Sequence, residues 1–214
     1  MIKLPDLKLP SLPPSTVSKA RVFYGQPSGV KTDLLSLYQK LAKELDVTPA
    51  QVRAFAIVES DEKALTASGN PVVRFERARW RRYRIAEKTA MGFDNAKNPK
   101  DLDARWAQFE AMRQVNEQAA ILSHSFGLFQ IMGFNYALTM CADPVTFLNE
   151  SMTIEGQFKL FRRFVLSSPS LLSAIRKGRA DQVGFHFNGP GYAANKYDVK
   201  WAAATKAGGE SVWA

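Results

Sequence analysis

The spacing of apolar residues predicts an amphipathic helix at the start of the globular part of the chain. The residues that recur at the three- and four-residue intervals of a helix are Leu34, Leu37, Tyr38, Leu41 and Leu45. Asp33 stands directly before them and can cap this helix. The pattern therefore predicts that packed structure begins near residue 33.

A second helix is predicted from Thr48 onward. Thr48 and Gln51 form a capping-box pattern, and the proline between them, Pro49, suits the first helical position. The predicted buried stripe is Val52, Phe55 and Ala56. Glu59 follows this stripe at helical spacing, so we expect its carboxyl group on or beside the apolar face. A carboxyl group directed towards apolar surroundings is unusual and marks Glu59 as a candidate functional residue.

The rest of the chain predicts one strand and several more helices. A turn at Gly69-Asn70-Pro71 precedes a short strand at 72–75, the only convincing β segment, which is followed by Glu76. An arginine-dense stretch and a surface loop at 91–101 come next. Further helices are predicted at 102–123, from Phe129, and at 144–149, 153–166 and 170–177. Together, these elements predict a mainly α-helical domain with a small β element.

The first 30 residues differ from the rest in composition. Their prolines favour extended or polyproline-like structure and are Pro5, Pro10, Pro13, Pro14 and Pro27. We expect residues 1–30 to form a proline-rich arm and residues 31–214 to form one folded domain. The arm has no unbroken apolar segment, so we expect no signal peptide and synthesis in a reducing cytoplasm.

Composition narrows the classes of function. The 214 residues include 29 Lys+Arg and 20 Asp+Glu, for a formal net charge of +9, which favours anionic partners. The single cysteine, Cys141, excludes an intramolecular disulfide, and only two histidines, His124 and His186, accompany it. This inventory argues against a metal site. We expect no metal, no other cofactor and no membrane-spanning helix.

Three segments place polar groups in apolar or turn-forming sequence. Glu59 and Ser60 end an apolar helix, where loss of hydration would raise the pKa of the carboxyl group towards that of a general acid. Gln130 lies in an apolar run that would suit a cleft wall. Asn188 and Tyr192 flank a turn rich in glycine and proline, which offers hydrogen bonds near a pocket. Each segment also has a structural interpretation, as an ion pair, a core amide or a plain turn.

These segments occur in an order that is similar to enzymes that cut the glycan strand of peptidoglycan. The matching motifs are Val58-Glu59-Ser60, Phe75-Glu76-Arg77, Ser125-Phe126-Gly127-Leu128-Phe129-Gln130-Ile131-Met132-Gly133 and Phe187-Asn188-Gly189-Pro190-Gly191-Tyr192. Together they resemble the bacteriophage and prophage N-acetylmuramidase endolysins, which are related to goose-type lysozymes and lytic transglycosylases. The resemblance covers about residues 34 to 201. The chain departs from it after Ser60, where the family's glycine-rich stretch is absent, and at Phe126, where the family has tryptophan.

The resemblance implies a lysozyme-like fold and hydrolysis of the β-1,4 bond between N-acetylmuramic acid and N-acetylglucosamine, with lysis of the cell wall. Glu59 matches the general acid. Glu76, which has Arg74 and Arg77 as sequence neighbours, is expected to stay ionised and to act as the base. The candidate substrate-binding residues are Ser60, Gln130, Asn188 and Tyr192. A separation of roughly 6.5–9.5 Å between the two carboxyl groups would indicate inversion, and about 5 Å would indicate retention.

Two other functions stay open at this point. A lytic transglycosylase would need only Glu59, with the muramic acid's own hydroxyl as nucleophile. A non-catalytic module on the same fold would bind nucleic acid or the envelope through basic residues interleaved with Trp80 and Tyr83. These basic residues are Arg74, Arg77, Arg79, Arg81, Arg82 and Arg84. Tyr192 and Tyr197 could either pack in the core or line a sugar cleft.

We favour the hydrolase. Its partners would be peptidoglycan glycan strands and, through its net positive charge, the anionic bacterial envelope, while nucleic acid is not favoured. We expect a monomer that is made in the host cytoplasm and acts on peptidoglycan after release or delivery.

Overall fold

The computed structural model describes residues 33–209 of the chain. This part contains α1 (Leu34–Leu45), α2 (Pro49–Ser60), α3 (Arg77–Tyr83), α4 (Lys88–Met91), α5 (Leu102–Val115), α6 (Glu117–Leu122), α7 (Pro144–Ser151), α8 (Ile154–Leu166), α9 (Pro169–Arg176), α10 (Ala180–Asn188) and α11 (Tyr197–Gly209). The strands are β1 (Val73–Phe75), β2 (His124–Phe126) and β3 (Ile131–Met132). The proline-rich arm predicted for residues 1–30 lies outside the described residues, and the division into arm and domain stays a prediction.

The first two helices begin where the sequence predicts, because both N-caps satisfy backbone N–H groups that have no partner inside a helix. The Asp33 carboxylate accepts a hydrogen bond from the Leu35 N–H at 3.1 Å. The Thr48 hydroxyl accepts from the Gln51 N–H at 3.2 Å, and the Gln51 side chain accepts from the Thr48 N–H at 2.8 Å. The predicted capping box is confirmed.

Helix α2 is buried along most of its length, and it positions Glu59. It packs against α1 and α11. A Cβ atom on Gly208 of α11 would lie 3.4 Å from the Cβ of Ala50, so the two backbones lie close together. The ring of Phe55 has its centroid 5.2, 4.8 and 5.7 Å from those of Phe161, Phe187 and Trp201. These aromatic contacts fix α2 against α8, α10 and α11, and so fix the place of Glu59.

The sheet contains two strands that the sequence did not predict. β1 pairs with β2 and β2 with β3, both antiparallel, so that Phe126 lies opposite Val73 on one side and Ile131 on the other. The prediction of a helix from Phe129 is wrong, because that segment forms β3 and then a 3-10 helix, Gly133–Thr139. All three residues of β2 are buried, so no alternation of apolar and polar residues marked it as a strand.

Other helix boundaries also differ from the prediction. The helix predicted at 102–123 is broken at Asn116, whose side chain accepts a hydrogen bond from the Ala119 N–H at 3.0 Å and caps α6. The helices α3, α4, α10 and α11 were not predicted. The prediction of a mainly α-helical domain with a small β element is nevertheless confirmed.

A buried glutamine, Gln157 of α8, holds the turn between β2 and β3. Its Oε1 accepts from the Leu128 N–H at 2.7 Å, and its Nε2 donates to the Ser151 carbonyl at 2.9 Å. The turn has a glycine at its start, Gly127, with φ +70°, and a Cβ atom there would lie 2.3 Å from the Gln157 side chain. Glycine is therefore required at this position by both backbone conformation and space.

We expect Gln157→Leu to lower the free energy of unfolding by about 1–3 kcal/mol, because the buried Leu128 N–H and Ser151 carbonyl would lose their partner. Urea denaturation measures this loss. Gln39→Leu, at an exposed position of α1, is the matched control and should change stability by less than about 0.5 kcal/mol. Equal effects of the two substitutions would contradict the assignment.

Candidate active site

Glu59 lies in the last turn of α2, half buried beside α11. Burial raises the pKa of its carboxyl group from 4.5 to about 7. The Tyr197 hydroxyl and the positive charges of Arg74 and Lys200 oppose this rise, since each favours the ionised form. Glu59 is therefore a carboxyl group that exchanges its proton near neutral pH, as a general acid must.

Tyr197 begins α11 and directs its hydroxyl towards Glu59. The residue is 5% exposed, and its ring stacks on Phe187 with 5.9 Å between centroids. The buried hydroxyl has no hydrogen-bonding partner of good geometry among the described residues, but it lies close enough to Glu59 to lower the pKa of that carboxyl group. Burial and the charge of Glu59 raise the pKa of Tyr197 well above 10, so the phenol stays protonated. The sequence offered Tyr197 as a core or cleft residue, but gave no sign that it meets Glu59.

We expect Tyr197→Phe to move the loss of activity at basic pH to higher pH. The hydroxyl lowers the pKa of Glu59, so its removal raises that pKa and keeps Glu59 protonated over a wider range. Because only one neighbouring polar group is removed, kcat at the optimum should fall by less than about 10-fold. The measurement is kcat/KM against pH.

Tyr38→Phe provides the control for that profile. Tyr38 is also a buried tyrosine beside a carboxylate, because its hydroxyl donates to Glu62 at 3.2 Å. Its substitution should leave the profile unchanged. A shift to lower pH in Tyr197→Phe would contradict the role given to the Tyr197 hydroxyl.

Glu76 follows β1 directly and is the N-cap residue of α3, although its side chain makes no capping hydrogen bond. The side chain is 45% exposed, and its Oε1 lies 3.6 Å from the Nε of Arg74. The same guanidinium is close enough to Glu59 to lower the pKa of that carboxyl group. Arg74 thus interacts with both acidic residues that the sequence singled out. The alternation of a strand could have indicated this, since residues 74 and 76 share one face.

Ser60 uses its hydroxyl within the protein. Its Oγ donates to the Leu128 carbonyl at 2.8 Å, and it lies 3.1 Å from the Ala56 carbonyl of the preceding helical turn. The first contact joins the end of α2 to the turn between β2 and β3. Ser60 therefore fixes the Glu59 backbone relative to the sheet.

Gln130 closes the same turn, with a positive φ of 46°. Its Oε1 accepts from the Ser125 hydroxyl at 2.7 Å, and its Nε2 donates to the carbonyls of Gly127 and Val72 at 2.7 and 3.1 Å. The amide is thus bonded internally and gives the turn its shape. Its predicted role towards the substrate stays a prediction.

Asn188 and Tyr192 lie at the other end of the chain, near the beginning of α11. Asn188 ends α10 and is exposed, and no hydrogen bond from its side chain occurs among residues 33–209. Tyr192 is half buried and packs on α10, where a Cβ atom at Gly184 would lie 2.6 Å from its ring. Phe187 precedes Asn188 and stacks on Tyr197. This contact attaches the end of α10 to the surroundings of Glu59.

The arginine-rich segment is largely engaged by its neighbours. Arg84 forms a bidentate ion pair with the Asp94 carboxylate, and Arg81 donates to the Asp94 carbonyl at 2.8 Å. The Arg79 guanidinium lies 4.3 Å above the ring of Phe134. Trp80 is fully buried and donates to a main-chain carbonyl. The idea that Trp80 could stack on nucleic-acid bases is therefore wrong, since its ring is inaccessible.

The described residues offer neither a metal-binding cluster nor a membrane span. Among residues 33–209, no three His, Cys, Asp or Glu side chains are grouped to hold a metal ion. None of the helices in this range combines the length and the apolar composition that a membrane span needs. His124 is a core residue of β2, and burial lowers its pKa to about 4, so it stays neutral.

A mainly helical domain with a small antiparallel sheet, and a glutamic acid of raised pKa at the end of a helix, are features expected of a glycoside hydrolase. The N-acetylmuramidase family model matches residues 48–207, and the chain belongs to this family. The protein is thus an N-acetylmuramidase that hydrolyses peptidoglycan, as the sequence predicted. The alternatives of a transglycosylase or a non-catalytic module have no comparable support.

A solved structure supports the same conclusion. The crystal structure of the Burkholderia AP3 phage endolysin is similar, with a TM-score of 0.67 and 29% sequence identity over 82% of this chain and 71% of that chain. No curated protein matches the sequence. The fold and the family predicted from the motifs are both confirmed.

Proposed function

We propose that Glu59 is the general acid and Glu76 the general base in the cleavage of the bond between N-acetylmuramic acid and N-acetylglucosamine. The observation that carries this proposal is the contrast between the two carboxyl groups. Glu59 lies beside Tyr197, where burial raises its pKa to about 7, whereas the side chain of Glu76 is 45% exposed and lies 3.6 Å from the Arg74 guanidinium. One carboxyl group can hold a proton for the leaving oxygen while the other accepts one from water.

In the proposed reaction, Glu59 gives its proton to the glycosidic oxygen as the bond to the muramic acid C1 breaks. A water molecule adds to C1 and gives a proton to Glu76. Arg74 helps to orient Glu76, since its Nε lies 3.6 Å from the Glu76 Oε1. The products are one new reducing end on N-acetylmuramic acid and one new hydroxyl on N-acetylglucosamine.

The remaining predicted site residues divide into two groups in this proposal. Asn188 and Tyr192 are candidates for hydrogen bonds to the sugars, and the free amide of Asn188 supports this. Ser60 and Gln130 would act on the substrate mainly by fixing the turn that forms part of the cleft wall.

Mass spectrometry of the soluble products released from purified peptidoglycan tests the reaction directly. We expect muramic acid ends that borohydride reduces. Ends of the 1,6-anhydro type would contradict the role of Glu76 as base, because they arise when the muramic acid's own hydroxyl attacks C1.

The biological setting that we propose is that of a phage-type endolysin, which acts as a monomer on the cell wall after release or delivery. The similarity to the Burkholderia AP3 phage endolysin supports this setting. The net charge of +9 would draw the protein to the anionic bacterial envelope. Sedimentation of the free protein and its salt-dependent binding to cell walls test the oligomeric state and the attraction.

A further inference from the structure

A groove with excess positive charge lies directly beside Glu76. It has a volume of about 280 Å³ and is lined by residues 74–78 on one side and 96–98 on the other. Three of the lining residues are cationic, Arg74, Arg77 and Lys97, against the one carboxyl group of Glu76. The groove therefore has a positive electrostatic potential and adjoins one of the two proposed catalytic carboxyl groups.

Two of these cations have no counter-charge. Arg77 and Lys97 are exposed, and among the described residues neither side chain forms an ion pair or a hydrogen bond. Of the neighbouring arginines, Arg81 and Arg84 bind Asp94, while Arg79 and Arg82 lie over the rings of Phe134 and Tyr83. Arg77 and Lys97 differ from these arginines because neither has an ionic or an aromatic partner among the described residues.

The two walls of the groove are joined by hydrogen bonds from one side chain to the main chain of β1. The Asn98 side chain accepts from the Phe75 N–H at 2.7 Å and donates to the Phe75 carbonyl at 3.0 Å, in the manner of a neighbouring strand. These two bonds hold the 96–98 segment against β1. The backbones that carry Arg77 and Lys97 are therefore fixed relative to each other and to Glu76.

We propose that this groove binds a free carboxylate of the peptidoglycan stem peptide, an assignment that rests on the proposed function. An enzyme that cleaves beside N-acetylmuramic acid must accommodate the peptide that this sugar carries, and the peptide has free carboxylates. The fork of N–H groups on Arg77 suits a carboxylate, and Lys97 adds a second positive charge. The groove would thus favour glycan strands that still carry their peptides over bare ones.

The double substitution Arg77→Gln/Lys97→Gln tests this assignment on two soluble glycan substrates, one bearing stem peptides and one from which an amidase has removed them. We expect kcat/KM on the peptide-bearing glycan to fall by about 10-fold, mainly through KM, because local electrostatic attraction is lost. Activity on the bare glycan should stay unchanged. The charge-conserving variant Arg77→Lys/Lys97→Arg should recover most of the loss.

Lys40→Gln/Lys43→Gln is the matched control, since it removes the same charge from α1, which packs against α2 and α8. Equal losses in this control would mean general attraction to the envelope and would overturn the groove assignment. Equal losses on both glycans would point to the lactyl carboxylate or to the sugars, and would overturn the stem-peptide assignment. No loss on either glycan would also overturn it. If the unmodified protein releases no reducing ends from either glycan, the proposed function itself fails.

Discussion

Glu59→Gln is expected to lower the rate of glycan cleavage by about 10²–10⁴-fold, the range that a general acid contributes. Glutamine keeps the shape of the side chain but cannot transfer a proton to the glycosidic oxygen. The measurement is the release of reducing ends from purified peptidoglycan. In the unmodified enzyme the rate should fall as the pH rises through about 7, because Glu59 then loses its proton.

Asp61→Asn is the control for this substitution, because it makes the same acid-to-amide change two residues away. Asp61 is exposed and has a left-handed backbone conformation, which asparagine tolerates. It should retain full activity. Substantial residual cleavage by Glu59→Gln at the pH optimum would exclude Glu59 as the acid.

Glu59→Gln should be more stable than the unmodified protein at basic pH. The pKa of Glu59 is about 7 in the fold against 4.5 for the free group, so folding favours the neutral form. The unmodified protein therefore loses stability between pH 4.5 and 7 and does not regain it above pH 7, while the glutamine variant does not suffer this loss. Denaturation at pH 8 should show a difference on the order of 1–3 kcal/mol, which disappears at pH 4. This result would also establish that inactivity is not caused by unfolding.

Glu76→Gln is also expected to lower kcat by about 10²–10⁴-fold, because water would no longer have a base to accept its proton. The products that remain should still carry reducible muramic acid ends. Glu87→Gln is a close control, since Glu87 is also an N-cap residue whose side chain makes no capping bond, and it is exposed. It should leave the rate unchanged.

A nearly unaffected rate in Glu76→Gln would contradict the base assignment. Together with 1,6-anhydro ends, it would mean that Glu59 works alone and that Glu76 serves only as the partner of Arg74. The exposed pair between Arg74 and Glu76 contributes little to stability, so the substitution should not unfold the protein. The two variants therefore separate the acid from the base by rate and by product.

The sequence by itself determined the features that depend on neighbouring residues. Asp33, Thr48 and Gln51 set the start of the first two helices through hydrogen bonds that span two or three positions. Helical periodicity placed Glu59 beside the apolar face of α2, where burial raises its pKa. Four short motifs in a fixed order were sufficient to predict the family.

Only the tertiary structure decided which distant residues meet. Tyr197 reaches Glu59 across 138 positions because α11 packs on α2, and no local pattern encodes such a contact. β2 and β3 are short and almost fully buried, so no alternation in the sequence indicates that β2 pairs with β1 and β3 with β2. Asn98 brings Lys97 to Arg77 by binding the Phe75 backbone. Local hydrogen bonds and periodicity are encoded over a few residues, whereas the surroundings of the two carboxyl groups arise only when separate helices and strands pack together.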